Sequence, residues 1–296
     1  MNLIPPLDIT DAMIHSCTIA EPSATDTGIS GYLGEWAVGT TYSVNAVVLV
    51  AASHLLYISL QNTNVGYTPG GTGNDSWWSE YRHTERWLAF DSRVTNQAVR
   101  AASIEYQLLP GVAIDSLALL NIEAETVTVT LKNGLDGATL DTWVVDTYND
   151  SLYVSDIVKT NFTYTTDPHF TILLSNSLVS AKVGEIVLGN KVSIGSTLYT
   201  PTVGIIDYSV KEVDTFGNYT VVERAYSKRL TCTTRIQNTA LDLTYNTLAG
   251  RRALPSVWVG SEDYPSMIVY GFYKDFSIVL SYKTISLCEL EIEGLI

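Results

Sequence analysis

The most informative stretch of the chain lies at residues 34–78 and reads GEWAVGTTYSVNAVVLVAASHLLYISLQNTNVGYTPGGTGNDSWW. Two short apolar runs, Ala46–Ala52 and Leu55–Leu60, predict strands, and a segment rich in proline and glycine follows them. Asn45 is placed for a tight turn, since asparagine tolerates the left-handed region. The aromatic residues of the stretch are Trp36, Tyr42, Tyr57, Trp77 and Trp78. This pattern predicts a small β unit with a loop and a closing aromatic pair.

The size of this unit leaves two interpretations of its aromatic rings. A unit of about 50 residues buries little surface alone, so its rings are needed for a compact core. Alternatively, some rings stay exposed and stack on the apolar face of a sugar, a contact for which tyrosine and tryptophan offer large rigid areas. The sequence leaves both open, and all five rings are therefore candidate carbohydrate-binding residues.

The composition predicts a mainly β protein of two or three domains. The chain has 296 residues, of which 46% are hydrophobic and 16% charged, enough for a sizeable core. Thr, Val, Tyr and Ser are abundant, and this bias favours strands over helices.

Charge and cysteine usage limit the classes of partner. The net charge is −14, with 17 basic against 31 acidic residues, so nucleic acid is a poor partner. Cys17, Cys232 and Cys288 are odd in number and far apart, and we expect free thiols in a reducing compartment. The first residues lack the features of a secretory signal, and no apolar run of about 20 residues predicts membrane insertion. We expect synthesis in the cytoplasm.

Strand and turn signals divide the chain into four parts. Residues 1–30, with three prolines, predict an extended arm. Residues 31–81 form the aromatic β unit. Residues 82–200 carry short strands at regular spacing, among them the alternating run Thr126–Leu131, and predict a β-sandwich resembling a jelly roll. Residues 201–296 predict an α+β domain.

The last part combines a long hairpin with the one convincing helix. Val203–Val213 and Tyr219–Arg235 predict strands joined by a turn at Asp214–Asn218. The helix is predicted after Asn238 or Thr239 as its cap and ends near Gly250, with its apolar face on residues 241, 245 and 248.

No arrangement of residues predicts an enzyme, a metal site or a cofactor. The acidic pairs Glu80 with Glu85 and Glu262 with Asp263 are the candidates for glycoside hydrolysis, but no second feature of such a site accompanies them. The four histidines lack metal-ligand spacing, and nucleophile motifs are absent. We expect a protein that binds without catalysis.

The aromatic unit resembles the chitin-binding type of carbohydrate-binding module found in bacterial chitinases. The resemblance is carried by Trp36, by the segment Tyr42–Val48, by Tyr57 and by Trp77 or Trp78, with Asn62 and Pro69 between them. Asn45 and Ala46 replace a glycine and an aspartate of the family pattern. The resemblance implies a sugar-binding fold over about a sixth of the chain.

Residues 31–296 are similar to tail-associated proteins of tailed bacteriophages and prophages. The phrases RWLAFDSRV, GIIDYSVKEVDTFGNYTVVERAYSKR and VWVGSEDYPSMIVYGFYKDFSIVLSYKTISLCELEIEGLI carry this similarity. It implies a structural component of the virion at the tail tip, baseplate or a fibre attachment point. Its partners would be other tail proteins, further copies of the chain and a host surface polysaccharide. The alternative function is a carbohydrate-binding adhesin that recognises the host.

Overall fold

The computed structural model describes residues 1–149, 152–213 and 215–296, and it confirms a mainly β protein. The first 83 residues contain β1 (Asn2–Ile4), a 3-10 turn (Asp11–Met13), β2 (Ile14–Cys17), α1 (Ala24–Thr27), β3 (Tyr32–Glu35), β4 (Val47–Val50), a 3-10 turn (Ala51–Ser53), β5 (Leu55–Ser59) and β6 (Trp78–His83).

The middle of the chain contains a 3-10 turn (Leu88–Phe90), β7 (Ala98–Leu108), β8 (Ser116–Leu120), β9 (Thr126–Asn133), β10 (Thr139–Asp146), β11 (Tyr148–Asn149), β12 (Leu152–Tyr153), β13 (Ile157–Lys159), β14 (Pro168–Val183) and β15 (Glu185–Gly189). The last part contains β16 (Val192–Ser193), β17 (Ser196–Thr197), β18 (Thr202–Asp207), β19 (Val210–Val213), β20 (Tyr219–Val222), β21 (Tyr226–Gln237), a 3-10 turn (Asn238–Ala240), α2 (Leu241–Gly250), β22 (Ser256–Val259), a 3-10 turn (Pro265–Met267), β23 (Ile268–Val279) and β24 (Ile285–Gly294).

The middle part is a β-sandwich. One sheet has the strand order β10-β9-β14-β7-β2 and the other β13-β8-β15. Alternate residues of β9 point into the core, so Val127, Val129 and Leu131 are buried while the threonines between them are partly exposed. These side chains pack against Leu117 and Leu119 of the opposite sheet. The alternation in the sequence therefore sets which face of each strand is buried.

The last part is built on an eight-stranded sheet of order β16-β1-β22-β23-β24-β21-β17, with β18 also paired to β21. Helix α2 covers one face through Leu248, which joins the core formed by Trp258, Leu230 and Leu290. The predicted helix is present, but Asn238 lies in the preceding 3-10 turn and its side chain bonds Ser286 and the Tyr282 carbonyl instead of capping the helix.

Residues 1–30 lie differently from the extended arm that their prolines predict. Strand β1 is inserted between β16 and β22 of the C-terminal sheet, and β2 pairs with β7 of the sandwich. Leu3 and Ile4 are fully buried. The segment thus belongs to two cores, because each of its short strands completes a sheet formed far away in the sequence.

A β-arm extends from the edge of the C-terminal sheet; we use this name for residues 202–226. Its base is β18 paired with β21, and its tip is the two-stranded ribbon of β19 and β20. The predicted strands 203–213 and 219–235 are each interrupted once, and Ser209 accepts a bond from the Arg224 amide at that break. Asp214 of the predicted hairpin turn and Asp150 of a predicted turn at 149–150 lie outside the described residues.

Two smaller observations concern cysteines and membranes. All three cysteines are free thiols, as the sequence predicts, and Cys232 and Cys288 are buried. Burial raises the pKa of both thiols to about 11. Within the described part of the chain, the helices are too short or too polar to span a membrane.

Candidate glycan-binding surface

The aromatic module, residues 31–81, is a four-stranded sheet of order β3-β4-β5-β6. Three of the five predicted binding rings lie in its core: Tyr42, Tyr57 and Trp78 are all less than a tenth exposed. Tyr42 and Trp78 meet edge to face with their ring centroids 5.3 Å apart. Their polar atoms are satisfied internally, since the Trp78 indole donates to the Tyr67 carbonyl at 2.7 Å. These rings hold the module together.

Trp36 and Trp77 are half-buried and pack on the outside of that core. Trp77 also stacks on Tyr67, with the ring centroids 3.9 Å apart and the planes 11° from parallel. Because Trp77 lies between the core and Tyr67, the outer ring of this stack belongs to Tyr67, which is 37% exposed. Tyr67 is not among the five rings that the sequence predicts for binding, although its position in a loop before Pro69 is typical of an exposed aromatic.

Hydrogen bonds fix the loop that carries this stack. Asn74 donates its side-chain amide to the Thr68 carbonyl at 2.9 Å, and Gln61 donates to the Ser76 carbonyl at 2.7 Å. The left-handed conformation of Gly70 (φ 69°) brings the loop against the Tyr57 hydroxyl, where a Cβ atom would lie 2.6 Å from the oxygen. Asn45 also adopts the predicted positive φ, 67°. The stack is therefore held in place before any ligand arrives.

The loop around the stack is mainly polar, with Leu60 and Val65 also exposed, and carries no cation. Residues 31–81 contain three acidic residues and neither lysine nor arginine. Asn62 and Asp75 are exposed on the same loop that holds Tyr67. Amide and carboxylate groups beside an aromatic face suit sugar hydroxyls, whereas an anionic group would meet no positive partner there.

Buried polar contacts attach the module to the rest of the chain. Asp26, fully buried, accepts from Arg82 of β6 at 2.9 Å and from the Glu85 amide at 3.0 Å. Arg82 also pairs with Glu85 at 3.1 Å. Burial raises the pKa of Glu85, an effect that its bond to the Val99 amide and the Arg82 charge oppose. The network ties the first 30 residues, the module and the sandwich into one arrangement.

A second contact lies beside this network. Glu21 accepts from the Thr84 hydroxyl at 2.6 Å and from the Trp87 indole at 3.1 Å. His54 stacks on Trp87 with the ring centroids 4.1 Å apart and approaches Glu21 at 2.9 Å. His54 thus belongs to the junction between the module and the rest of the chain. It precedes β5 in the sequence, whereas the Tyr67 loop follows β5.

The acidic pairs considered for hydrolysis have other neighbours. Glu80 faces Arg93 at 3.6 Å, Glu85 belongs to the buried network, and Glu262 accepts from Thr160 at 2.7 Å. Among the residues that the structure describes, no group of three potential ligands could hold a metal ion.

Comparison with known proteins gives a partial structural match. No known family model matches the chain, and neither does any curated protein. A chitosan-binding module from a Paenibacillus sp. IK-5 chitosanase/glucanase aligns with a TM-score of 0.27 and 18% identity, covering 34% of this chain and 81% of that one. A selenomethionine-labelled mutant of that module gives 0.28, 16%, 35% and 83%.

Part of the chain is thus similar to a carbohydrate-binding module. At TM-scores of 0.27 and 0.28, the match does not indicate which residues of this chain bind a ligand.

Proposed function

We propose that the protein binds a carbohydrate through the exposed stack of Tyr67 on Trp77. The single observation that carries this proposal is the stack itself: an aromatic face in a rigid polar loop, outside a core that the other rings complete without it. Tyr67 is not needed to close the core, so its exposure does not follow from the fold alone. A pyranose ring would lie on the outer face of Tyr67, with its hydroxyl groups toward the amides and carboxylate of the loop.

Charge narrows the class of carbohydrate. The module has no lysine or arginine, and the whole chain carries −14. An anionic glycan would be repelled, and a neutral or amino-sugar polymer would not. We therefore expect binding to neutral and amine-bearing polysaccharides and little binding to polyuronates.

The test is a binding assay with the full chain on chitosan, cellulose and pectate. Tyr67→Ala should weaken binding by about tenfold, the size expected for losing one stacking ring. Tyr81→Ala removes another exposed tyrosine of the module, on β6, and should leave binding unchanged. Equal affinity of wild type and Tyr67→Ala would contradict the proposal, as would an equal loss in Tyr81→Ala.

A second candidate function is that of a structural component of a phage tail, assembled with other tail proteins and carrying the module outward to host glycan. The observation that favours it is the β-arm, whose valine and tyrosine side chains are exposed. Such a surface suits a protein that is covered in an assembly. Mass spectrometry and immunogold labelling of virions from a producing culture would test it, and absence of the chain from the particles would contradict it.

We further propose that the protein has no catalytic activity. Incubation with the polysaccharides that it binds should release no soluble sugar. Release that survives purification to homogeneity would contradict this.

A further inference from the structure

The edge of the C-terminal sheet lacks the features that usually protect such an edge. Among the described residues, β18 pairs only with β21, so one side of the strand has no backbone partner. Between Pro201 and Asp207, the run Thr202–Ile206 contains no charged residue and no proline. Natural sheets normally block an open edge with lysine, proline or a bulge, because a free edge pairs with another strand.

The hydrogen-bonding direction along β18 shows which backbone groups are free. The Tyr208 amide donates to the Ala225 carbonyl of the adjacent strand at 3.4 Å. In an antiparallel pair, the residues whose backbone groups point inward alternate with those whose groups point outward. The amide and carbonyl groups of the even-numbered residues of β18 therefore point toward β21. The amide and carbonyl groups of Val203 and Ile205 therefore point outward from the sheet.

The side chains at this edge are apolar and exposed. Ile205 is 60% and Val203 45% exposed, although both are aliphatic and both lie in a regular strand. Tyr199, just before the strand, is 98% exposed. Apolar side chains beside unpaired backbone groups are the arrangement that accepts an added strand.

We propose that β18 pairs antiparallel with β18 of a second copy of this chain, joining two sheets across a twofold axis. This inference does not depend on the glycan-binding function. Centred on Gly204, the pairing places Val203 of one copy opposite Ile205 of the other, and the two copies exchange four backbone hydrogen bonds. Glycine faces glycine at the axis, and the four aliphatic side chains fall on one face and contact each other.

The self-complementary register is the reason for choosing a second copy over an unrelated strand. Each chain carries −14, so most surfaces of two copies repel each other. In the antiparallel arrangement the one acidic residue of the strand, Asp207, lies opposite Pro201 of the other copy. The two Asp207 side chains are then about 20 Å apart at the strand rise of about 3.4 Å per residue. The pairing therefore brings no like charges together, and the strand is complementary to itself in hydrogen bonding.

The experiment is sedimentation velocity on the full chain over about 1 to 100 µM, the range that covers small interfaces. The wild type should reach twice the 32.4 kDa of one chain as the concentration rises. Ile205→Pro removes one outward amide per copy and no hydrogen bond to β21, so the variant should fold normally. Its dimerisation constant should be about 30-fold weaker than that of the wild type. Ile205→Lys should also give monomers, through a like charge placed at the interface.

Leu243→Lys is the matched control, because Leu243 is also an exposed aliphatic residue (69%) but lies on helix α2, which has no open strand edge. It should dimerise like the wild type. A wild type that stays monomeric at about 100 µM, or an Ile205→Lys variant that dimerises normally, would overturn the proposal. If Ile205→Pro loses its circular dichroism spectrum, the Ile205→Lys result decides.

Discussion

The aromatic module and the β-arm use the same residue types in opposite ways. Both are small β units rich in tyrosine and valine, the module a four-stranded sheet and the tip of the arm a two-stranded ribbon. In the module, Tyr42 and Trp78 are buried and their polar atoms bond within the loop. In the tip of the arm, Tyr219 is 74% exposed and every residue of β20 faces solvent. A two-stranded ribbon is marginally stable alone, so the arm depends on what surrounds it.

This difference shows that aromatic content does not by itself mark a binding surface. The module folds its rings inward and leaves a single stack outside, which suits a small ligand. The arm leaves a whole apolar surface outside, which suits a protein partner. The separation makes each region testable without disturbing the other.

The largest expected effect comes from breaking the module core. Trp78→Ala removes a buried indole and its hydrogen bond, and should lower the free energy of unfolding of the module by about 3–5 kcal/mol. Tyr219→Ala in the arm should change it by less than about 0.5 kcal/mol, since surface substitutions rarely do more. Urea unfolding followed by circular dichroism measures both. Similar losses in the two variants would remove the contrast between the regions.

The next effect tests whether the buried Asp26–Arg82–Glu85 network stabilises the attachment of the module to the rest of the chain. Arg82→Met leaves the buried carboxylates of Asp26 and Glu85 without their cation, at a cost of about 3 kcal/mol. Arg93→Met breaks only the exposed pair with Glu80 and should cost less than about 1 kcal/mol. Thermal unfolding compares the two. Equal melting temperatures would show that the junction does not stabilise the module.

A smaller effect isolates one contact within the module. Gly70→Ala adds a Cβ at a positive φ and against the Tyr57 hydroxyl, and should cost about 2 kcal/mol. Gly73→Ala has a similar φ, 81°, but open space around it, and should cost about 1 kcal/mol. Denaturant midpoints give the difference, which measures the packing of the loop on Tyr57. A larger loss for Gly73→Ala would place the strain elsewhere.

The smallest expected effect is on the pH dependence of stability, and it involves Glu185, a buried carboxyl group outside both the module and the β-arm. Burial, and to a lesser degree the charge of Asp91, raise the pKa of Glu185 well above its ordinary 4.5. The folded chain keeps this proton while the unfolded chain loses it, so stability falls as the pH rises above 4.5. Glu185→Gln has no proton to lose and should show a shallower fall between pH 5 and 8, with little change at pH 4.

The control for that experiment is Glu289→Gln, on the exposed face of β24. It should reproduce the wild-type slope in urea titrations at each pH. A wild-type slope in Glu185→Gln would show that the buried carboxyl does not carry the pH dependence.

The sequence predicted the features that depend on local pattern. The alternation in residues 126–131 gave strand β9 with the correct buried face, and the hairpin of residues 203–235 gave the β-arm. The helix after residue 238 is also present. Each of these depends on neighbours in the chain, which periodicity records.

The features that the sequence missed depend on distant partners. Asp26 meets Arg82 across 56 residues, and neither residue has a local feature that marks it as buried. Strand β1 has only three residues, too few to show a period. The five predicted rings lie together, but which of them faces solvent is decided by packing, and the exposed partner, Tyr67, comes from a loop without any repeat.

The pairing of β1 with β22 has a consequence for the order of events during synthesis. Leu3 lies beside Trp258, more than 250 residues later in the chain. A ribosome must therefore synthesise the segment up to β22 before β1 can take its place between β16 and β22 of the C-terminal sheet. Contacts of such separation form slowly because a long loop has to close first. Until then Leu3 and Ile4 remain in water, so these residues are synthesised long before they can reach their final positions.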